Sequence, residues 1–178
     1  MNIIYDSNQC YFFFLCSATN KSRLKVFIFL HMLLWLFMVF RLSTSLFVTF
    51  GFRPPAYLQR LRLPKSMLWE YAWLMTILPC LFGLIALRKN RIFLMQQYVL
   101  GIFVFGFCVA AFTLYDMYDD MKLYWKIRKT DQFILGYPLI VVWYIFLVIA
   151  VQLHAYSVYV SYQLLKAWKA ALARKKVL

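Results

Sequence analysis

Acidic residues and histidine are scarce in this chain of 178 residues, which contains 20 Lys and Arg against 6 Asp and Glu, and only 2 His. Enzymes draw most of their proton-carrying and metal-binding groups from these scarce types. The chain also lacks an HExxH sequence, a Ser-His-Asp order and a glycine-rich loop of the kind that binds phosphate. We therefore expect no enzyme, and no metal, catalytic or cofactor-binding site.

Cysteine is also sparse and shows no pattern. None of the four cysteines forms a CxxC pair, so the sequence contains neither a disulfide framework nor a zinc-binding motif. Two of them, Cys80 and Cys108, fall within apolar runs, where a thiol behaves as a small hydrophobic group. Internal repeats are absent as well, which leaves an inverted-repeat transporter without support.

Apolar residues are what the chain has in abundance: 65% of it is hydrophobic and 21% is aromatic, while only 15% is charged. Soluble domains are about 45–50% apolar. The basic residues form short clusters between long apolar runs, which is typical of membrane topology and not of a surface that binds nucleic acid. The composition predicts an all-α, polytopic membrane protein in contact with lipids, and no nucleic-acid partner.

Four apolar stretches are long enough to cross a bilayer, which requires about 20 helical residues. The predicted spans cover residues 26–47, 69–87, 92–115 and 133–156. They form one four-helix transmembrane domain, residues 24–162, between an N-terminal segment of residues 1–23 and a basic tail of residues 163–178. We expect Pro79 to kink the second span and Pro138 to lie in the first turns of the fourth.

The basic clusters also predict the orientation of the chain. Lys and Arg near the ends of spans are enriched on the cytoplasmic side of a membrane. With the N-terminus in the cytosol, eleven basic residues lie on the cytoplasmic side and eight lie in the two loops on the other side. This bias predicts that both termini are cytoplasmic.

The tail has the spacing of an amphipathic helix. Leu164, Leu165 and Trp168 recur at helical intervals, and Lys166 and Lys169 lie between them. One interpretation is a helix that lies on the anionic cytoplasmic leaflet, with Leu165, Lys166, Trp168 and Lys169 at the membrane interface. The alternative is a solvated end of the fourth span with ordinary flanking charges.

Two lysines stand near the end of the sequence. Lys175 and Lys176 occupy the fourth and third positions from the terminal carboxylate, which is the spacing of a dilysine retrieval signal for the endoplasmic reticulum. Two ammonium groups beside a carboxylate present a compact, directional charge pattern to an acidic receptor pocket. We expect a multi-pass protein of the endoplasmic reticulum membrane whose tail binds the COPI coat. The alternative is that both lysines only orient the chain.

Four polar side chains in the predicted spans are candidates for contacts inside the membrane: His31, Arg41, Gln152 and His154. Arg41 lies about 15 residues, or roughly 23 Å, into the first span, so we expect its head to reach the opposite interface. We expect Gln152 and His154 to face the bundle interior and bond to another helix. A site shared by His31 and His154 is not expected, and Glu70 is expected at the membrane surface.

An acidic loop and a small-residue pair leave two alternative functions open. On one helix, Asp116, Asp119 and Asp120 would share a face and could hold Mg²⁺ or Ca²⁺, although ion pairs with neighbouring lysines are a simpler account. This loop could belong to a small lipid- or ion-handling membrane enzyme or transporter. Gly106 and Ala110 form a close-packing pair, which would suit a passive subunit of a larger membrane complex with other membrane proteins as partners.

Three sets of residues keep a specific order and spacing. They are Trp69-Glu70-Tyr71 followed by Ile77-Leu78-Pro79, Leu81 and Gly83-Leu84; Ala150-Val151-Gln152-Leu153-His154-Ala155 followed by Leu164-Leu165 and Trp168; and His31, Trp35 and a basic residue at position 41. Together they resemble the Jagunal family, except over the first 23 residues. The resemblance implies a four-span protein that organises the endoplasmic reticulum membrane, acts in vesicle-mediated transport in the early secretory pathway and associates with the COPI coat. It does not imply an enzyme.

Overall fold

The computed structural model describes residues 2–60, 63–128, 130, 132–134 and 136–175, with side chains described only between residues 17 and 173. Within this part of the chain, four helical segments are long and apolar enough to cross a membrane. They are Ser17–Thr49, Leu68–Lys89, Ile92–Asp116 and Leu139–Ala173. The predicted all-α fold with four membrane helices is confirmed.

Two long helices frame the bundle. The elements in chain order are α1 (Asn2–Thr49), α2 (Ala56–Arg60), α3 (Leu68–Leu74), α4 (Ile77–Lys89), α5 (Ile92–Gly101), a π-helical segment (Ile102–Cys108), α6 (Val109–Asp116), α7 (Tyr118–Ile127), β1 (Phe133–Ile134), β2 (Tyr137–Pro138) and α8 (Leu139–Lys175). Helices α1 and α8 have 48 and 37 residues and run about 72 and 56 Å at 1.5 Å per residue. Both exceed a hydrocarbon core of about 30 Å. They contact each other from Ser17 and Trp168 at one end to Arg41 and Trp143 at the other.

The second span is interrupted at Met75 and Thr76, between α3 and α4. The physical cause is Pro79, which has no N–H and whose ring would clash with the carbonyl of Met75 four residues earlier in a regular helix. The backbone therefore turns before the proline, and Cys80 donates to the carbonyl of Thr76 at 3.3 Å. We expected a kink at Pro79, and the helix is instead interrupted at Met75 and Thr76, one turn before the proline.

The fourth span is preceded by a small hairpin. Strands β1 and β2 pair antiparallel, Phe133 with Pro138 and Ile134 with Tyr137. Gly136 lies in the turn with φ +84°, a conformation that glycine adopts at low cost. Pro138 ends β2, so α8 begins at Leu139 and not at residue 133. At the other end, α8 continues without a break through the tail to Lys175.

The buried apolar residues form one cluster at each end of the bundle. The cluster near both termini contains Leu24, Ile28, Met95, Leu164 and Trp168, among others. The cluster beside the hairpin contains Met38, Trp69, Trp73, Trp143 and Phe146, among others. Large apolar side chains also cover the outer surface, including Phe29, Leu36, Phe103, Ile145 and Val148. Such a surface suits contact with lipid hydrocarbon, and polar groups that enter the membrane are shielded from it inside the bundle.

Candidate functional site

A polar core lies between the two apolar clusters, and we define it as His31, Trp73, Thr76 and His154. All four side chains are almost completely buried. His31 Nε2 and Thr76 Oγ1 are 2.9 Å apart, and the rings of His31 and His154 lie 5.0 Å apart between centroids. Trp73 covers both imidazoles, at 5.1 Å from His31 and 6.2 Å from His154. A site shared by the two histidines was not expected from the sequence, and the structure makes their rings neighbours.

Two irregular backbone segments bring the polar core together. The break before α4 directs Thr76 towards His31, and the π-helical segment places Gly106 against His154. A Cβ atom at Gly106 would lie 2.8 Å from His154 Cδ2, which is too close for any other residue without a shift. Non-helical backbone inside a span is tolerated where it packs against protein, and π-helical bulges often mark functional positions. In the sequence, Pro79 and Gly106 were the residues that could have indicated these two irregular segments.

The polar core retains unused hydrogen-bonding capacity. Within the described residues, His31 Nδ1, Trp73 Nε1 and His154 Nε2 have no hydrogen-bond partner. The same part of the chain contains no group of three His, Cys, Asp or Glu residues placed to hold a metal ion. This geometry joins α1, the α3–α4 break and α8 through one hydrogen bond and through contacts between tilted rings. Tight packing against these rings makes the core sensitive to added volume.

A buried ion pair lies beside the second apolar cluster. Arg41 Nη2 is 3.5 Å from Glu70 Oε1, and the side chains are 1% and 0% exposed. Arg41 also donates to the carbonyl of Lys65 at 3.2 Å, and its guanidinium carbon lies 5.7 Å from the ring centroid of Trp143. Both residues lie at the start of the second span, Glu70 in the first turn of α3 and Arg41 in contact with the loop before it. There both side chains are buried within the protein and not exposed on its surface. Each charge has the other as a neighbour inside the bundle, which offsets part of the cost of burial.

Gln152 does not join the polar core. Its side chain is exposed on the outer surface of α8, while His154 is buried. Two residues along a helix correspond to a rotation of about 200°, so the two side chains point to opposite sides of α8. The prediction that Gln152 bonds to another helix is wrong, because only one of the two positions can face the bundle.

The tail is the end of α8 and packs against the first helix. Trp168 is 8% exposed and donates from Nε1 to Ser17 Oγ at 3.3 Å, and Lys21 Nζ lies 5.8 Å from the centroid of its ring. Lys166 and Lys169 are exposed. In place of a separate helix on the membrane surface, the structure has a continuous helix whose Trp168 contacts α1.

Also singled out from the sequence were Lys175, Lys176, Gly106, Ala110 and Leu165. Lys175 is the last residue of α8, and its side chain, like all of Lys176, lies outside the described residues. Gly106 and Ala110 are buried within the bundle, which occupies their close-packing face with contacts inside this chain. Leu165 is half-buried beside the cluster near the termini.

The acidic loop does not present its three aspartates on one continuous helix. Asp116 ends α6, while Asp119 and Asp120 lie in the first turn of α7, and Met117 between them has φ −91° and ψ 3°. All three side chains are exposed. Carboxylates in a first helical turn interact favourably with the helix dipole, which accounts for Asp119 and Asp120 without a metal.

Comparison with known proteins gives a consistent family match. The sequence profile of the Jagunal family, described as "Jagunal, ER re-organisation during oogenesis", matches residues 13–172. Protein jagunal of Drosophila melanogaster is 34% identical over 167 residues, which cover 90% of this chain and 84% of that protein. Protein jagunal homolog 1 of Homo sapiens is 28% identical over 160 residues, covering 90% and 83%. Protein jagunal homolog of Caenorhabditis elegans is 30% identical over 160 residues, covering 85% and 82%.

Proposed function

The chain belongs to the Jagunal family, and from this premise we propose that it organises the endoplasmic reticulum membrane and acts in vesicle-mediated transport in the early secretory pathway. The family description names re-organisation of this compartment, and four apolar helices suit a multi-pass membrane protein. The proposal does not involve catalysis. It assigns the protein a structural and sorting role in the membrane, with both termini in the cytosol.

The observation that carries the sorting part of the proposal is the continuity of α8. The helix runs from Leu139 in the membrane domain to Lys175 without interruption, and Trp168 is held against Ser17 and Lys21 of α1. This packing holds α8 in place at Trp168, seven residues before Lys175. In a chain that ends at Leu178, Lys175 and Lys176 then present two ammonium groups and the carboxylate to an acidic pocket of the COPI coat.

Replacing both terminal lysines with alanine is expected to release the protein from the endoplasmic reticulum. The full chain is expressed with a tag at the N-terminus, so that the C-terminus stays free, and its location is measured by microscopy and surface labelling. We expect the Lys175→Ala, Lys176→Ala variant to move forward to the Golgi or the cell surface, because coat-mediated retrieval requires both ammonium groups.

A matched control separates the signal from simple charge. Lys166→Ala with Lys169→Ala removes the same number of positive charges from the tail, at exposed positions further from the end of the sequence. This control is expected to stay in the endoplasmic reticulum. Unchanged retention of the terminal variant, or equal escape of both variants, would contradict the retrieval proposal.

A further inference from the structure

Helix α7 lies across the end of the bundle that carries the hairpin. Met117, with φ −91° and ψ 3°, interrupts the helix between α6 and α7. Met117 and Tyr124 are about two turns apart, and both line one cavity together with Ile140 and Trp143 at the start of α8. Met121 and Tyr124 also pack against the apolar cluster beside the hairpin. Because successive turns of α7 stay beside the start of α8, the helix does not lead away from the bundle.

The apolar surface of α7 is wider than the part that the bundle covers. Tyr118 and Trp125 are seven residues apart and share one side of the helix. Leu123 and Ile127 are four residues apart and share the other side. All four side chains are more than half exposed. Apolar side chains therefore remain uncovered on both sides of the contact with the bundle.

The lysines of α7 lie between these two sides and away from the bundle. Lys122 and Lys126 are four residues apart, so they share one face, and both are exposed. Arg128 follows α7, and its guanidinium carbon lies 4.4 Å from the ring centroid of Trp125. A helix with lysines along its polar face and with Trp and aliphatic side chains on the remaining surface has the pattern of a helix in a membrane interface.

The neighbours of α7 are exposed apolar residues at the ends of the spans. Phe133 and Tyr137 belong to the hairpin, Leu68 begins the second span and Tyr115 lies near the end of the third. All four are more than half exposed. Trp and Tyr are enriched where membrane helices meet the aqueous phase. The uncovered sides of α7 therefore extend the lipid-facing surface of the spans.

Lipids account for this surface better than a protein partner does. The uncovered apolar side chains lie on two sides of α7, with the exposed face of Lys122 and Lys126 between them. A protein bound to one side would leave the other side exposed to water, whereas phospholipids surround the bundle and reach both. In this position the two lysines face headgroups and water, which suits long cationic side chains at a membrane surface.

The opposite end of the bundle has no comparable element in the described part of the chain. There α4 ends at Lys89 and α5 begins at Ile92, so two residues join them. Helices α1 and α8 leave this end side by side, with Trp168 in contact with Ser17. The short helices in the described loops, α2 and α7, both lie at the hairpin end.

We propose that α7 lies in the headgroup layer of the leaflet at the hairpin end, with Trp125 and Ile127 among the phospholipids, and that the protein therefore occupies more area in this leaflet than in the other. Unequal area gives a membrane protein a preferred curvature, which is a physical means of organising a membrane. Neither the insertion nor the unequal area depends on the terminal lysines, so their tests and the test of retrieval fail or succeed separately.

Fluorescence quenching of a reporter on α7 tests the insertion. A fluorescent amino acid is placed in the full chain at position 122, 125, 126 or 127, one at a time, and each purified protein is reconstituted in vesicles. Lipids brominated near the top of their acyl chains quench from the membrane, and iodide quenches from water. We expect the lipid to quench the two apolar positions more strongly than the two lysine positions, and iodide to show the reverse order. Quenching by iodide alone at all four positions, as for a face that another protein covers in the cell, would overturn the proposal.

The orientation of the protein in vesicles of different size tests the unequal area. A tag at the N-terminus marks the end opposite the hairpin, and its accessibility to protease is measured in small and in large vesicles. The outer leaflet of a small vesicle is strongly convex, so we expect the hairpin end to face outward and a larger share of the tags to be enclosed. An equal share of enclosed tags in small and large vesicles contradicts the proposal.

Two double variants of the same helix give a matched comparison. Trp125→Gln with Ile127→Gln removes apolar side chains and is expected to abolish the dependence on vesicle size. Lys122→Gln with Lys126→Gln changes as many exposed residues on the polar face and is expected to keep it. Both should unfold in detergent at the temperature of the unchanged chain, because all four side chains are exposed. If the first variant is less stable, its two single substitutions replace it. Equal behaviour of the apolar and lysine variants would refute the role of α7.

Discussion

Replacing Glu70 with leucine is expected to lower the free energy of unfolding by about 3–5 kcal/mol, because Arg41 would keep a buried charge without its partner. The two side chains are 1% and 0% exposed, and their charged atoms lie 3.5 Å apart. Among the described residues, Glu70 is the only carboxylate within ion-pair distance of Arg41. The measurement is equilibrium unfolding of the purified protein in mixed micelles at increasing fractions of denaturing detergent.

The second half of this experiment removes both charges. Arg41→Met with Glu70→Leu keeps similar volume inside the bundle, and replacement of a buried ion pair by apolar groups is often neutral or stabilising. We expect the double variant to be more stable than Glu70→Leu alone. Asp116→Asn, which removes an exposed carboxylate, serves as the control and should change stability by less than about 0.5 kcal/mol. A double variant no more stable than the single variant would refute the pairing.

The ion pair of Arg41 and Glu70 is a part of the buried core that could have been predicted from the sequence. Arg41 and Glu70 are the only charged residues inside the four predicted spans. Opposite charges inside a helical bundle tend to pair, so the presence of one cation and one anion in the spans already indicated an ion pair. The prediction that each residue lies at a membrane interface considered only its depth along its own helix. It did not consider which helices become neighbours.

The number and class of the membrane helices followed directly from the sequence, because runs of about 20 apolar residues have few other stable forms. The rotation of each helix about its own axis could not be predicted from the sequence in this way. An evenly hydrophobic span has no polar face that identifies its buried side, which is why Gln152 was expected inside and is exposed. The contact of His31 with His154 depends on the same rotation and on the break near Thr76.

The tail illustrates a different limit of sequence interpretation. Apolar residues at positions 164, 165 and 168 predict an amphipathic helix in either surroundings, since lipid and a neighbouring helix both accept an apolar face. The structure shows Leu164 and Trp168 packed with Leu24 of α1. The sequence pattern therefore predicted the helix correctly, but it could not show whether lipid or another helix covers its apolar face. Contact with α1 holds α8 at Trp168, seven residues before Lys175, where the helix ends.

Adding one methyl group at Gly106 is expected to destabilise the protein by about 1–3 kcal/mol, the range measured for overpacking of a core. The new Cβ atom of Gly106→Ala would lie 2.8 Å from Cδ2 and 2.9 Å from Nε2 of His154. The imidazole has little room to move, since the rings of His31, Trp73 and Phe107 lie between 5.0 and 6.2 Å from it. Thermal unfolding of the purified variant in detergent measures the loss.

The sign of the effect should reverse once the imidazole is absent. In a His154→Ala background the clash disappears, and glycine to alanine within a helical segment then stabilises by about 0.5–1 kcal/mol. His154→Ala alone is itself expected to destabilise, because it leaves a cavity beside His31 and Trp73. The comparison is therefore a double-mutant cycle. If Gly106→Ala costs the same with and without His154, then close contact between the π-helical segment and the imidazole does not hold the polar core together.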